Sequence, residues 1–331
     1  MTVLVTGGAG YIGSHMVLEL RDSGIEVVVL DNLSTGFAWA VPDDVPLIIG
    51  DVGDSELVSR VLRQYQIEAI FHFAGSIIVP ESVEKPLLYY RNNTANTRDL
   101  METAVENGVP HFIFSSTAAV YGNPDQMPVS ESATLQPMSP YGTSKLMSEL
   151  MLADTSVAHD FNYVALRYFN VAGADPKGRS GQSTPKATHL IKVACETALG
   201  RRPSMQVFGE DYETPDGTCV RDFIHVKDLA RAHIAAYDYL RDGGKSDVFN
   251  CGYSKGFSVK EVIDAVKRVS NVDFDVVMGD RRAGDPASIV AANEKIRATL
   301  GWEPQLDDLD GIVASALAWE ERLAELLKEA C

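Results

Sequence analysis

A tyrosine and a lysine spaced by one helical turn, Tyr141 and Lys145, are the residues of this chain best suited to acid–base chemistry. Positions i and i+4 share one helix face, with Cβ atoms about 5–6 Å apart. Ionising a free tyrosine at pH 7 requires about 4 kcal/mol, which a cation about 4 Å away supplies at an effective dielectric of about 20. The pair therefore predicts a phenolate base for a sugar or alcohol hydroxyl. The same spacing also occurs by chance on solvated helix faces.

Hydroxyl side chains at the end of a predicted strand extend this pair. Residues 111–114 are followed by Ser115, Ser116 and Thr117. In an open α/β sheet, ligands bind beyond the carboxyl ends of the strands. We therefore predict a catalytic set of Tyr141, Lys145, Thr117 and Ser116.

A glycine-rich loop near the start of the chain predicts a dinucleotide site. The loop reads Gly7-Gly8-Ala9-Gly10-Tyr11-Ile12-Gly13, between a predicted strand and a predicted helix, and Asp31 ends the next strand. Glycines let the backbone approach a pyrophosphate, and the helix N-terminus offers N–H groups to it. Asp31 would accept hydrogen bonds from the ribose and repel a 2′-phosphate, which favours NAD over NADP.

The elements that must position these residues follow an alternating pattern. Apolar runs at 3–6, 26–30, 46–50, 69–74, 111–115 and 164–169 alternate with helical patterns at 14–22, 55–64, 86–107 and 141–158. Continuous apolar strands between helices are typical of a parallel sheet covered on both faces. The prediction is an α/β fold with a doubly wound parallel sheet of the Rossmann type.

The second half of the chain does not continue the regular alternation of strands and helices. We predict a loop at 171–186, a helix at 189–200, a strand at 205–208 and a helix at 226–241. From 258 onward the pattern is mostly helical, apart from a polar loop at 279–286. Residues 1–175 are expected to form the NAD-binding domain, to which later segments return. Residues 176–331 are expected to form a smaller mixed lobe that binds the substrate.

Composition narrows the classes of partner. The 331 residues carry a net charge of −17, so nucleic acid and anionic membranes are not expected partners. No apolar run approaches the roughly 18 residues that span a bilayer, and we expect no signal peptide. Four scattered cysteines without a CxxC pair and seven histidines without ligand spacing predict neither a disulfide framework nor a metal site. A reducing cytoplasm is the expected location.

Together these motifs resemble the extended short-chain dehydrogenase/reductase superfamily. Within it, the chain resembles the UDP-glucose 4-epimerase family through five further segments, at residues 10–15, 89–93, 166–170, 216–226 and 281–285. The stretch from Gly217 to Val226 is the most specific of these segments. The matches run from residue 2 to about residue 302. The resemblance implies a 4-epimerase of UDP-hexoses, UDP-glucose and UDP-galactose, with tightly bound NAD and a transient 4-keto sugar.

The resemblance also implies two sets of contacts. Cofactor-binding residues are expected at Gly7, Gly10, Tyr11, Ile12, Gly13, Asp31, Asn32, Asp51, Val52, Phe73, Ala74, Gly75, Asn92, Ser115, Tyr141, Lys145 and Phe169. Substrate-binding residues are expected at Thr117, Tyr141, Asn170, His189, Leu190, Val207, Phe208, Arg221, Arg282, Asp285 and Ser288. In this second set Arg221 and Arg282 would clamp the diphosphate, Asp285 would bind the uridine ribose and Phe208 would line the uracil pocket.

Several residues depart from the common epimerase pattern. Ser76-Ile77 stands where many members have Leu-Lys, so a lysine contact to the cofactor is missing. Thr117 replaces a serine, His189 an asparagine and Phe223 a tyrosine. Ser288 stands where some relatives carry a tyrosine that walls the sugar pocket. A small side chain there would leave room for an N-acetyl group.

Other functions remain open from the sequence. The substrate of the epimerase could be a UDP-N-acetylhexosamine, a UDP-pentose or a UDP-uronate. A 4,6-dehydratase is disfavoured because Ala118 and Ala119, not acids, follow Thr117. A plain alcohol dehydrogenase would release its reduced cofactor, and a non-catalytic NAD sensor would lack Tyr141 or Lys145. By analogy with the superfamily, the helical stretches 86–107 and 141–158 would pair in a homodimer.

Overall fold

The computed structural model of the chain describes residues 1–184, 187–282 and 285–329. Ala283 and Gly284 of the predicted polar loop, the last two residues of the loop predicted at 171–186, and Cys331 lie outside these ranges. The strands are β1 (Thr2–Thr6), β2 (Glu26–Asp31), β3 (Leu47–Ile49), β4 (Ile67–His72), β5 (His111–Ser115), β6 (Asn162–Tyr168), β7 (Asn170–Ala172), β8 (Met205–Phe208), β9 (Val220–His225), β10 (Asp247–Cys251), β11 (Gly256–Ser258), β12 (Val276–Gly279) and β13 (Ser288–Ile289).

The helices alternate with these strands through most of the chain. They are α1 (Tyr11–Asp22), α2 (Ser55–Gln64), α3 (Val79–Glu84), α4 (Pro86–Tyr89), α5 (Asn96–Glu106), α6 (Pro140–Ala158), α7 (Leu190–Ala198), α8 (Val226–Arg241), α9 (Val259–Ser270), α10 (Glu294–Leu300) and α11 (Leu309–Glu329). Within the described residues, no helix combines the length and the apolar character that a bilayer crossing requires.

A seven-stranded parallel sheet forms the centre of the fold and confirms the predicted fold class. Its strand order is β10-β6-β5-β4-β1-β2-β3. Val3, Phe71, Phe112 and Leu166, from four of its strands, are completely buried because helices cover both faces of the sheet. The strand order reverses between β1 and β4, which opens a crevice at the carboxyl edge where ligands bind in such folds.

The second half of the chain contains more strand than the sequence indicated. The loop predicted at 171–186 begins inside β7, which pairs in parallel with β9. Strands β12 and β13 fall in the region expected to be mostly helical, and β11 ends where that region begins. These strands are short and pair with distant partners, so local periodicity carries little signal for them. β10 joins the central sheet beside β6, while the domain boundary near 175 stays a prediction.

The stretch predicted as one helix at 86–107 is interrupted. A π-helical turn at Tyr90–Ala95 separates α4 from α5. Within this turn the Asn93 side chain accepts a hydrogen bond from Ser76 N at 2.7 Å and donates to Ser76 O at 2.9 Å. π turns are frequent at functional sites, and this one anchors the loop that follows β4.

Candidate active site

The glycine loop forms an open cradle at the start of α1. Gly7 has a φ of +71°, and a Cβ at Gly13 would lie 2.1 Å from Gly7 O, so neither position accepts a side chain. Gly10 caps α1 without a side-chain hydrogen bond, and no acidic residue lies in the first turn. The N–H groups of that turn are thus left for a bound anion. This cradle fits the pyrophosphate of a dinucleotide.

Asp31 stands beside the cradle at the end of β2, as the sequence predicted. Its Oδ2 accepts a hydrogen bond from Ala9 N at 2.9 Å and its Oδ1 accepts one from Leu33 N at 2.8 Å. These bonds fix the carboxylate against the glycine loop. Each oxygen retains a lone pair for a ribose hydroxyl.

Asn32 and Asp51 extend this edge of the cradle. Asn32 Nδ2 donates to Asp51 Oδ2 at 3.1 Å, while Asp51 Oδ1 accepts from Gly53 N at 2.9 Å. Val52 is buried in the apolar layer below. The three residues thus lie together after β2 and β3.

The segment after β4 approaches the glycine loop from the other side. Phe73 N donates to Thr6 O at 3.0 Å, which continues the pairing of β1 and β4. A Cβ at Gly7 would lie 2.6 Å from Ala74 N. A Cβ at Gly75 would lie 3.7 Å from Lys145 Nζ, so this segment also reaches the predicted catalytic lysine.

Four further predicted cofactor residues lie in the cradle or in the loops and helices around it. Tyr11 OH donates to Gly173 O at 2.6 Å, and Ile12 packs against the larger apolar layer. Asn92 Nδ2 donates to Ser76 Oγ at 3.0 Å. Phe169, between β6 and β7, packs against a small cluster around Tyr121.

The predicted catalytic pair lies on the first turns of α6. Ser139 caps this helix by accepting from Gly142 N at 3.2 Å, and Pro140 occupies its first position. Lys145 Nζ donates to Ser115 O, at the end of β5, at 2.9 Å. Burial lowers the pKa of Lys145 to about 8, while the charge of Glu149 raises it. The ammonium form therefore persists at neutral pH and is lost as the pH rises through 8.

Tyr141 is buried beside this lysine and faces Thr117. Burial raises the pKa of Tyr141, and the Thr117 hydroxyl acts in the opposite direction. Thr117 Oγ1 accepts a hydrogen bond from Ala119 N at 3.1 Å, so its own proton is available to the phenolic oxygen. The Tyr89 ring packs edge-on against the Tyr141 ring, with centroids 6.5 Å apart, and restricts its position.

Ser116 does not join this group. Its side chain is completely buried, and its hydroxyl donates to the Glu149 carboxylate. Successive side chains at a strand end point to opposite faces, so Ser116 turns away when Thr117 faces Tyr141. The structure therefore does not support the predicted catalytic part for Ser116.

Sequence reasoning named Ser115 but missed three side chains around the catalytic pair, those of Tyr168, Glu149 and Arg167. The Ser115 carbonyl binds Lys145, and the Ser115 hydroxyl bonds with Tyr168 OH. Glu149 and Arg167 form a buried ion pair below α6. The spacing of Glu149, four residues after Lys145, is the one signal that could have indicated part of this arrangement.

A cleft of about 1270 Å³ opens between the carboxyl edge of the central sheet and the smaller sheets. Eight predicted substrate-binding residues line it: Asn170, His189, Leu190, Val207, Phe208, Arg221, Arg282 and Asp285. They come from five separate elements and loops, so the fold, not the local sequence, brings them together. The lining does not include the three other predicted substrate-binding residues, Tyr141, Thr117 and Ser288.

Two of the predicted substrate-binding residues of the cleft, Arg221 and Arg282, are cations. Arg221 Nη2 lies 3.5 Å from Asp285 Oδ1, and the Arg282 guanidinium lies 3.7 Å from the centroid of the Phe208 ring. Two guanidinium groups in a chain of net charge −17 form a local site for an anion such as a diphosphate.

His189 and Ser288 are two further predicted substrate-binding residues with defined neighbours. Gln182 Nε2 donates to His189 Nδ1 at 2.7 Å, and burial lowers the pKa of His189. Ser288 lies on β13 with its Cα paired to that of Val220, the residue before Arg221. Ser288 thus lies beside β9, the strand that carries Arg221.

Comparisons with known proteins identify a family and several relatives of this chain. Residues 3–252 match the model of the NAD dependent epimerase/dehydratase family. The UDP-glucose 4-epimerase of Azospirillum brasilense is 56% identical over 99% of this chain and 94% of its own length. A crystal structure of UDP-glucose 4-epimerase from Brucella ovis in complex with NAD has a TM-score of 0.93 at 43% identity, covering 96% of this chain and 97% of that one.

A third relative carries a second substrate in its name. The UDP-Glc/GlcNAc 4-epimerase of Campylobacter jejuni is 50% identical and has a TM-score of 0.85. The match covers 97% of this chain and 99% of that one.

Gly13→Ala tests the cradle. Its new Cβ would meet Gly7 O at 2.1 Å, so we expect at least a tenfold loss of NAD affinity in calorimetry of apoprotein. Gly24→Ala is the matched control because nothing lies within 4 Å of its Cβ, although its φ of +75° is strained. We expect the control to lose about 1 kcal/mol of stability and keep its affinity. Equal losses of affinity in both variants would contradict the assignment of the cradle.

Proposed function

The chain belongs to the NAD dependent epimerase/dehydratase family, and from that premise we propose that it is a 4-epimerase of UDP-hexoses that interconverts UDP-glucose and UDP-galactose. The observation that carries the proposal is the buried Tyr141–Lys145 pair, whose lysine donates to Ser115 O at the carboxyl end of β5. The cleft that contains Arg221 and Arg282 supports it as a site for the nucleotide. NAD is the proposed cofactor, supported by the glycine cradle and by the NAD in the Brucella ovis structure.

The chemistry of a C4 inversion explains why such a pair is needed. The reaction is redox-neutral, but the C4–H bond is not acidic, and no side chain removes that proton at a useful rate. Temporary oxidation at C4 avoids this step. When bound, NAD supplies reversible acceptance of hydride from C4.

Side chains of the protein accept and return the proton of the O4 hydroxyl. Tyr141 takes the proton of the O4 hydroxyl, directly or through Thr117, as the sugar becomes a 4-ketone. Lys145 stabilises the phenolate because its ammonium is fixed nearby by Ser115 O. Tyr141 returns the proton to O4 once the opposite face of the ketone has been reduced, so no proton is consumed overall.

The nucleotide part of the substrate must stay fixed while the keto sugar turns over. We assign Arg221 and Arg282 to the diphosphate, Asp285 to the uridine ribose, and Phe208 to the uracil pocket. Arg282 lies over the Phe208 ring, so this guanidinium moves aside if uracil binds the same face. Asn170, His189, Leu190 and Val207 complete the proposed contacts.

Tyr141→Phe tests the proposed base. The wild-type protein should convert UDP-galactose to UDP-glucose without net formation of NADH. The variant should lose on the order of 10² to 10⁴ in kcat, the usual contribution of a general base, with its NAD content unchanged. Tyr65→Phe, at the end of α2, is the control and should keep wild-type kcat. A Tyr141→Phe variant with full activity would contradict the assignment. A wild-type protein that binds NAD but converts no UDP-hexose would favour the non-catalytic NAD sensor.

UDP-N-acetylglucosamine is a second candidate substrate, favoured by the name of the Campylobacter jejuni relative. We propose that the small side chain of Ser288 admits the N-acetyl group at C2. Wild-type protein should turn over UDP-N-acetylglucosamine at a rate comparable with UDP-glucose. Ser288→Tyr should lower kcat/KM for the acetylated sugar alone. Absence of any turnover of the acetylated sugar by the wild type rules this proposal out.

We also propose a homodimer formed through the helices around α6. Several apolar side chains on α3, α4 and α6 are well exposed, among them Val83, Leu87, Met147 and Leu150, with 80% of Leu87 accessible. Isolated exposed apolar residues are ordinary, but a group on neighbouring helices is typical of an interface.

Sedimentation velocity tests the dimer. At micromolar concentration the wild-type chain should sediment as a dimer, and a Leu87→Lys/Leu150→Lys variant as a monomer, because two buried ammonium groups would face the partner. Val277→Lys, at an exposed position of β12, should leave the dimer intact. A monomeric wild type would refute the proposed assembly.

A cytoplasmic location remains part of the proposal. Cys195, Cys219 and Cys251 are free thiols buried in the protein. Unpaired thiols are typical of a reducing compartment.

A further inference from the structure

A buried ion pair lies directly below the proposed catalytic lysine. Arg167 of β6 donates from Nη2 to Glu149 Oε2 at 2.5 Å and from Nε to Glu149 Oε1 at 3.0 Å. Both side chains are only 5% exposed. Removing two charges from water is costly for each ion, so a buried pair is a poor source of stability. Its position suggests another use.

Glu149 contacts all the elements that build the catalytic pair. It lies on α6, four residues after Lys145 and eight after Tyr141, so the three share one helix face. Its carboxylate accepts from Ser116 Oγ, in the segment between Ser115, which binds Lys145, and Thr117. Through Arg167 it is joined to β6 and to Tyr121 OH, which accepts from Arg167 Nη1 at 3.0 Å.

These groups form a row of alternating charge. An ionised Tyr141 would be followed by the Lys145 ammonium, the Glu149 carboxylate and the Arg167 guanidinium. Without Glu149, the Lys145 ammonium and the Arg167 guanidinium would both stay buried without the carboxylate that lies near each of them. The charge of Glu149 opposes the burial of Lys145, which by itself lowers the pKa of that lysine.

We propose that Glu149 is a positioning residue that keeps Lys145 in its ammonium form and holds the end of β5 against α6. The proposal rests on the proposed function, since the charge of Lys145 matters catalytically only if Tyr141 is the base. Glu149 itself has no access to substrate because it is buried.

The other groups that face Lys145 do not replace this carboxylate. From β4, burial and the Lys145 charge lower the pKa of His72 to about 3, so that ring is neutral. From β5, the Phe114 ring lies 4.8 Å from Lys145 Nζ, and Ser115 offers its carbonyl. From β6, burial raises the pKa of Tyr168, which stays a neutral phenol, and Arg167 is a cation.

Tyr141 itself is the remaining titratable neighbour. It is neutral in its resting form because burial raises its pKa. Among the described residues, Glu149 is therefore the anion that acts on Lys145 at neutral pH.

Glu149→Gln removes the charge and keeps the shape. Two unit charges about 6 Å apart at an effective dielectric of about 20 interact strongly enough to change the pKa of either group by about two. We expect the alkaline limb of the pH profile of kcat to move toward lower pH by about one to two pH units. The pKa of Lys145 should fall by the same amount. It is measured by NMR of the ¹³C-labelled ε-carbon in the NAD-loaded protein, and the signal is assigned by its absence from the Lys145→Met variant.

Two further variants separate charge from folding. Glu149→Gln/Arg167→Gln removes both buried charges, so it should fold even if Glu149→Gln alone does not. It should lower the pKa of Lys145 by less than Glu149→Gln does. Asp228→Asn removes another buried carboxylate, one that accepts from Tyr253 OH at 2.8 Å. It should lower stability and leave the pKa of Lys145 unchanged.

The two readouts distinguish this inference from the proposed function. An unchanged pKa of Lys145 in both Glu149 variants overturns the inference, whatever the activity. A wild-type protein that converts no UDP-hexose, while Glu149→Gln still lowers the pKa of Lys145, overturns the proposed function alone. An equally large fall in that pKa in Asp228→Asn would also overturn the inference, since the effect would then be structural.

Discussion

The account depends on one buried ammonium. Lys145 is almost inaccessible, and a cation in such a position is stable only if specific partners replace its hydration. The Ser115 carbonyl supplies the contact and the Glu149 carboxylate supplies the opposing charge. Both partners lie on elements packed at the central sheet, Ser115 at the end of β5 and Glu149 on α6. The packing of β5, β6 and α6 therefore holds this charge in place. The consequence is a cation held on the same helix face as Tyr141, at the carboxyl end of β5.

The rest of the site can be understood as two anchors on either side of that pair. In the proposed function the glycine cradle binds one ligand through backbone N–H groups, and the cleft binds the other through Arg221 and Arg282. The chain has a net charge of −17, which repels polyanionic ligands. The backbone N–H groups of the cradle and the two arginines of the cleft would offset this repulsion locally. Tight anchors at both ends leave the sugar between them with freedom to turn, which an inversion at C4 requires.

Much of this could be predicted from the sequence because the determining signals are local. The strand-glycine-helix pattern around Gly10 and the i, i+4 spacing of Tyr141 and Lys145 each fall within a few residues. The short strands β7 and β13 could not be predicted, since their pairing with β9 depends on distant contacts. The orientation of Ser116 toward Glu149 was also hidden, because neighbouring hydroxyls at a strand end look equivalent in sequence. The π turn at Tyr90–Ala95 left no signal either, since its asparagines suit a helix surface equally well.

Titration of Tyr141 tests the central claim most directly. The ultraviolet difference spectrum between the wild-type and Tyr141→Phe proteins, both loaded with NAD, isolates the ionisation of this one phenol. The account predicts an ionisation below the ordinary tyrosine value of about 10 that moves to higher pH in a Lys145→Met variant. A Tyr141 that ionises only above that value in the NAD-loaded protein, or one that is indifferent to the loss of Lys145, would contradict the account.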